Sequence, residues 1–299
     1  MFFVLESPVG NFLRHLFYAC HVQYRTPFSC SFICYSNFCH GGMLVTPKLQ
    51  VRNLSYSYHS HSGETKALSH ISFDVADGEF LAVVGPSGCG KSTLLSLLCG
   101  LLTPEEGSIV IDGIDRRDSP AVIGYMLQKD HLFEWRSILS NTALGLEIHG
   151  NVSPDDKKDL LSMLKTYGLE QFSASRPSEL SGGMRQRAAL IRTMALKPDI
   201  LLLDEPFSAL DYQTRLEVCD DISSIIRTRG KTAILVTHDL SEAISVADRI
   251  LILGSRPGHV TGIMKIQFNQ PYDRPLARRN SPDFSVYFNQ LWKEIKEHD

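Results

Sequence analysis

The sequence predicts an α/β fold in which a parallel core sheet is accompanied by a small antiparallel β-subdomain and a helical subdomain. Three observations carry that expectation. The apolar, β-prone run Phe80–Val84 leads into Gly85-Pro86-Ser87-Gly88-Cys89-Gly90-Lys91-Ser92-Thr93 and then into the helix-prone Leu94–Leu98, so strand, glycine loop and helix follow one another. Ile200–Leu203 and Ala233–Val236 are short continuous apolar runs, the pattern of central parallel strands covered on both faces. From about Asn141 to Tyr167 the pattern changes to helical and reads as an insertion beside the αβ core.

Composition bounds what the chain can be. Its 299 residues suffice for one large domain or two modest ones, and a net charge of −3 supplies no basic field of nucleic-acid scale. No apolar run approaches the roughly 18 residues of a membrane span, so any membrane role runs through a partner. Cys89, Cys99 and Cys219 show no pairing pattern, which fits a reducing compartment. The first 42 residues differ from the rest: they are rich in Phe, Tyr and Cys and lack a helical or alternating period. With no basic region ahead of their apolar residues they do not read as a secretory signal. Cys30, Cys34, Cys39 and His40 can be drawn as a zinc site, but they lack the paired C-x2-C spacing. The expectation is that Met43 is the start and that residues 1–42 form a non-native or disordered extension, with Cys20 and these cysteines in it.

The elements follow in order. Leu49–Tyr56 alternates like a strand and leads to Tyr58; a polar turn is expected over His59–Glu64, and a second strand over Ala67–Val75. Asp77-Gly78 is a turn before the Phe80–Val84 strand. Thr103–Gly107 ends the loop helix, and Ser108–Ile111 with Asp112-Gly113 gives a further strand and turn. Ile123–Leu127 is a short strand ending at Gln128. Ser153-Pro154-Asp155-Asp156 has the form of a helix N-cap, Gly168 stands at the C-terminal position, and Leu160, Leu161, Leu164 and Tyr167 fall on one face. Arg249–Leu253 resembles a last core strand. A final helix opens at Ser281, with Phe284, Phe288, Leu291, Trp292 and Ile295 at helical spacing as a stripe expected to pack on its own domain.

The glycine loop lets successive N–H groups point inward at phosphate oxygens, with the helix start adding partial positive charge. Lys91 supplies a cation for the β- and γ-phosphates, and the Ser92 hydroxyl is placed for Mg²⁺. Asp204-Glu205 sets two carboxylates just beyond a buried strand, one suited to a Mg²⁺ shell and its neighbour to taking a proton from water. Cys89 fills a loop position that demands no side chain, and reads as a tolerated small residue rather than a redox sensor.

Leu180-Ser-Gly-Gly-Met-Arg-Gln186 resembles the signature sequence of ATP-binding cassette (ABC) ATPases, a P-loop NTPase family, and it lies between the glycine loop and Asp204-Glu205 as it does there. Gln128 matches the family's Q-loop, Ser208-Ala-Leu-Asp211 its D-loop and His238 its switch histidine. Tyr58 falls where the family keeps an aromatic against adenine, with Tyr56 the competing choice. The resemblance covers Leu49 to about Gly262 and implies ATP and Mg²⁺ as cofactors. It implies Glu205 as general base and Asp204 and Gln128 serving Mg²⁺ together with Ser92. His238 and Lys91 would contact phosphate, and Ser181, Gly182 and Gly183 would bind the γ-phosphate of ATP held by a second copy, with Asp211 at the seam. By this reading residues 43–268 are the ATPase domain, with a helical subdomain at about 135–190, and 269–299 are a C-terminal helical extension.

Ser181–Arg187, Asp204–Asp211, Thr237–Ala243, Ser255–Gly258 and Leu132-Phe-Glu-Trp135 are similar to the cassettes of nitrate, sulfonate and taurine importers, which usually have proline where Glu134 stands. This implies a peripheral protein on the cytoplasmic face of the cell membrane that energises uptake of a small anionic solute. Membrane permease subunits and a solute-binding protein would be its partners, a short permease helix entering near Gln128–Ile138. Export is the variant of that reading. A cassette acting on nucleic acid or ribosomes fits less well, because about fifty residues rather than a long coiled coil separate Gln128 from Leu180, and there is one cassette, not two. A non-hydrolysing regulatory module would lack Lys91, Glu205 or His238, and all three are present.

Overall fold

The computed structural model describes residues 46–60, 63–150, 152–269 and 274–297. The readings on residues 1–42, zinc included, lie outside the described residues.

Strands β1 (Leu49–Ser60) and β2 (Gly63–Val75) form a long antiparallel ladder. The expected turn over His59–Glu64 is tighter than the sequence suggests, because His59 and Glu64 are themselves cross-strand partners. β3 (Phe80–Val84) is buried along its whole length and feeds α1 (Lys91–Leu98). β4 (Glu106–Ile111) turns through Asp112 and Gly113, both at positive φ, into β5 (Ile114–Asp115), as a two-residue hairpin requires. β6 (Ile123–Met126) is followed by α2 (Ile138–His149), α3 (Pro154–Thr166) and α4 (Gly182–Met194). Then come β7 (Ile200–Asp204), α5 (Tyr212–Thr228), β8 (Thr232–Val236), α6 (Leu240–Val246), β9 (Arg249–Leu253) and β10 (Val260–Lys265). Two helices close the described chain, α7 (Pro275–Arg279) and α8 (Pro282–Glu297).

Two sheets result. An antiparallel one has the order β2-β1-β4-β5, and the core sheet has the order β10-β9-β3-β8-β7-β6. The core ladders are parallel except at the edge, where β10 runs antiparallel to β9. Alternation along each core strand divides its side chains between layers. Leu81, Val83, Ile200 and Leu202 pack with the antiparallel sheet and α1. Leu201 and Leu203 face the helical layer of α4 and α5, while Ala82 and Val84 face α6 and Leu291 of α8. Covering both faces is what makes continuous apolar strands stable.

The 141–167 stretch is two helices, each opened by its own serine cap, Ser137 and Ser153. Ser153 and Asp156 form a reciprocal capping box, which fixes the start of α3. On α3 the buried set is Leu160, Met163 and Leu164, continued by Tyr167; Leu161 is exposed. The correction follows from geometry: positions 160, 163, 164 and 167 share one helical face, and 161 lies about 100° away. In α8, Leu291 is fully buried, Phe284, Phe288 and Ile295 pack around it, and Trp292 is half exposed.

Candidate active site

Register decides where the chemistry sits. Val83 of β3 pairs with Val236 of β8, and Val236 also pairs with Asp204 of β7. The glycine loop, Asp204-Glu205 and Thr237-His238 therefore leave the carboxyl ends of three adjacent strands, the edge at which open α/β sheets bind ligands.

The loop from Gly85 to Gly90 curls over its own lysine. Lys91 is buried, and its Nζ donates to the carbonyls of Gly85 and Pro86, each at 2.8 Å. These are ordinary neutral acceptors, so a phosphate would be the stronger partner for the ammonium. Ser87 and Gly88 form the exposed outer turn, and Cys89 is buried beneath it. Burial pushes the Cys89 thiol up, although the Lys91 charge opposes this, so the residue is a packing group and not a reactive thiolate.

Ser92, at the start of α1, donates to Asp204 Oδ1 at 3.3 Å, and Tyr125 donates its hydroxyl to Asp204 Oδ2 at 3.2 Å. Burial pushes the Asp204 carboxyl up; the two hydroxyls pull it back toward ionisation. Glu205 stands at φ 45, in the left-handed region that a non-glycine residue rarely occupies. It is held there by its N–H donating to Val236 O at 2.9 Å and by its carbonyl accepting from Ser208 N and Oγ. That twist turns the side chain toward its partners. His238 Nδ1 is 3.0 Å from Glu205 Oε2, and Gln128 Nε2 reaches the same oxygen at 3.4 Å and Ser208 Oγ at 3.1 Å. His238 is more than half exposed, so it is not a capped core residue.

Between the two tyrosines the structure discriminates. Tyr56 packs on the core beneath β1, whereas Tyr58 is 43% exposed and its hydroxyl meets Thr93 Oγ1 at 3.2 Å, beside the loop. Of the two rings, Tyr58 is the one open to solvent beside the glycine loop.

Ser181, Gly182 and Gly183 lie elsewhere. Ser181 caps α4 by accepting from Met184 N–H; Gly182 lies against Leu210, just before α5, and Gly183 is pressed against α5. A Cβ at Gly183 would stand 2.8 Å from both Thr214 and Val218, so this glycine is required by helix packing within the chain. Among the described residues no hydrogen bond or ion pair joins this turn to Lys91, Ser92, Asp204, Glu205 or His238. Asp211 caps α5 by accepting from Thr214 N–H at 3.1 Å.

Sequence reasoning missed several supporting groups. Tyr125 carried no motif. Arg185 pairs with Asp130 at 3.1 Å, Arg192 donates to the carbonyls of Asp130 and His131, and Gln186 donates to Gln128 O, so α4 grips the segment that carries Gln128. Gly258, within the Ser255–Gly258 stretch, carries no chemistry of its own in the sequence. Its N–H donates to Ala67 O, its carbonyl accepts from Ser69 N, and a Cβ there would fall 2.0 Å from Cys89 O.

The family profile described as ABC transporter matches residues 68–208. An uncharacterized ABC transporter ATP-binding protein of Bacillus subtilis, YtlC, is 43% identical over 247 residues, covering 83% of this chain and 95% of its own. The chain belongs to the ABC transporter ATP-binding proteins. It is similar also to the taurine import ATP-binding protein TauB of Yersinia pestis, 39% identical over 235 residues, 78% of this chain and 92% of that one. Among solved structures, the cassette MJ0796 in a dimeric post-hydrolysis state bound to ADP and Pi superposes with a TM-score of 0.64 at 31% identity, covering 73% of this chain and 99% of that one. The chain is therefore an ABC ATPase cassette.

Proposed function

We propose that this cassette is the ATP-hydrolysing subunit of an importer for a small anionic solute of the nitrate, sulfonate or taurine kind. It would work as two copies on the cytoplasmic face of a membrane, with permease subunits and a solute-binding protein. The observation that carries the two-copy reading is that two turns suited to an anion, the Lys91 loop and the Ser181 helix start, share no hydrogen bond or ion pair among the described residues. One nucleotide needs one phosphate loop, so the second turn is assigned to ATP on the other copy. The taurine import relatives support the importer and its solute class. Among the described residues no helix is long and apolar enough to cross a membrane, so the passage itself is assigned to other subunits.

In this reading Lys91 releases the loop carbonyls for the β- and γ-phosphates, and Tyr58 stacks on adenine. Glu205 takes a proton from water as the water oxygen bonds to the γ-phosphorus and the bond to the β-phosphate's bridging oxygen breaks, leaving ADP and phosphate. His238 contacts the γ-phosphate, and Gln128 helps to orient the attacking water. Ser92 Oγ, Asp204 and the amide oxygen of Gln128 are hard oxygen donors and fit Mg²⁺. Bound there, the ion would neutralise phosphate charge. Among the described residues no group of three His, Cys, Asp or Glu could hold a metal alone, so phosphate oxygens are expected to complete its shell.

Glu205→Gln is the test. The amide keeps the shape and cannot accept the proton, so phosphate release should fall by about a thousandfold or more while ATP still binds. The variant should accumulate as an ATP-bound dimer. Turnover at the wild-type rate would remove Glu205 from this role. With permease and binding protein in vesicles, ATP-dependent uptake of taurine or nitrate is expected, and efflux would reverse the direction assigned.

A further inference from the structure

Behind His238 lies a buried polar pair that ATP chemistry does not itself require. Thr237 is 2% exposed and Glu242 is 3% exposed. The Thr237 hydroxyl donates to Glu242 Oε2 at 2.5 Å and accepts from the N–H of Asp239 at 3.0 Å. Asp239 in turn caps α6, accepting from the N–H groups of Ser241 at 2.8 Å and Glu242 at 3.2 Å. Its carboxylate lies 3.7 Å from Arg215 of α5, and Arg215 donates to Leu210 O at 3.0 Å, one residue before Asp211. Both neighbours of His238 are thus fixed to buried structure. The imidazole itself is more than half exposed, and its one described partner is Glu205.

We infer that Thr237 and Glu242 are positioning residues for His238, and that Arg215 ties the same turn to the Leu210-Asp211 segment. The inference rests on the proposed pairing of His238 and Glu205 at the γ-phosphate. Its physical basis is the cost of placing a carboxylate at this depth. A buried carboxyl destabilises a core unless its hydrogen bonds hold something in place, and a neutral side chain would serve α6 better if helix stability were its only role. What Glu242 holds is the hydroxyl of Thr237, and Thr237 holds the backbone on either side of the histidine. The hydrogen bond is strongest when the carboxylate is ionised.

The charged surroundings of Glu242 are mixed. Burial raises its pKa to about 7; the Thr237 hydroxyl lowers it, Asp239 raises it, and Arg215 of α5 and Arg279 of α7 lower it. Cys219 of α5 is a further titratable neighbour, and burial keeps its thiol protonated. Toward β3 and α8, α6 packs on groups that include Ala82, Val84, Leu291 and the ring of Tyr287, and Arg278 of α7 donates to the carbonyls of Ser245 and Ala247 at its C-terminal end.

The experiment measures steady-state phosphate release by the full chain between pH 6 and 9 for Glu242→Gln, Thr237→Val and Thr237→Ser. Melting temperatures at pH 8 are recorded alongside. A positioning role makes kcat fall about tenfold in Glu242→Gln and Thr237→Val, with the KM for ATP within about twofold of wild type. Thr237→Ser, which keeps the hydroxyl, should retain most of kcat, and the double variant should be no slower than the slower single one. Glu242→Gln should also lose the acid limb with midpoint near 7 without a lower melting temperature at pH 8. A purely structural role predicts the opposite, lower kcat only where the melting temperature drops. Wild-type kcat and pH profile in Glu242→Gln would overturn the inference, and so would loss of activity that follows loss of stability. Glu205→Gln and His238→Ala are run in parallel. If those two lose turnover and Glu242→Gln does not, the inference alone fails. If either keeps turnover, the pairing at the γ-phosphate fails and takes the inference with it.

Discussion

At Gly258 the glycine loop is supported by main chain alone. Its N–H and carbonyl bridge Ala67 and Ser69, and the Cys89 carbonyl lies so close that a Cβ at Gly258 would fall 2.0 Å from it. A backbone oxygen cannot swing aside as a flexible side chain can, so Gly258→Ala must push the loop away from β2. We expect the apparent affinity for ATP to drop by about tenfold, with a stability loss of about 1–3 kcal/mol, the usual cost of overpacking. Nucleotide titration and thermal melting measure the two separately. Unchanged ATP affinity would mean that the loop tolerates the shift. The same scale shows how far residues could be read in advance. Lys91 and the Asp204-Glu205 pair stand out in the sequence because a glycine loop ahead of a helix and two carboxylates after an apolar strand are distinctive patterns, whereas His238 stands out only through the family resemblance. Tyr125 and Glu242 do not, because a tyrosine in a strand and a glutamate in a helix look ordinary until the fold places them against Asp204 and Thr237.

Among elements, α6 carries a stability effect with a definite sign. The folded chain holds a proton on Glu242 up to about pH 7, whereas a solvated glutamate releases it at 4.5. The contribution of this group is therefore fully favourable below 4.5 and is lost as pH rises through 7. A difference of this size corresponds to roughly 3 kcal/mol. Compared across pH 5 to 8, the melting temperature of the wild type should fall relative to that of Glu242→Gln by several degrees, because every other titrating group is common to both. Parallel curves for the two chains would show that Glu242 does not titrate in this window. Elements were mostly legible for a related reason: β3, β7 and β8 are uniformly apolar, and Ser153-Pro154 announces a helix start without help from tertiary structure. Where the reading slipped, packing decided. Leu161 is as apolar as Leu160, and the rotation of α3 against α4 leaves it outside the buried face.

For the whole molecule, the strongest consequence of the proposed function is a site divided between copies. Each complete site should need Lys91 from one copy and Ser181 from another. A Lys91→Ala chain loses the cation for phosphate, and a Ser181→Arg chain places a bulky cation at the cap of α4. Each should be inactive as a pair of identical copies. In a mixed pair, one composite site has both residues intact and the opposite site has neither. If the two sites fire independently, mixing restores part of the activity; if both must be loaded, it restores none, so turnover alone is ambiguous. Adding Glu205→Gln to both chains turns the question into one of assembly. With ATP and Mg²⁺ the Glu205→Gln chain should sediment as a dimer, the Ser181→Arg form of it as a monomer, and the mixture with Lys91→Ala as a dimer holding about half the nucleotide. The intact composite site is the reason for that last result, since it is the only place where ATP can bridge the two copies. A Glu205→Gln chain that stays monomeric at saturating ATP, even with its permease present, would sink the divided site. A Ser181→Arg chain that dimerises as readily as its parent would do the same, because the turn at the start of α4 would then have no partner's phosphate to hold.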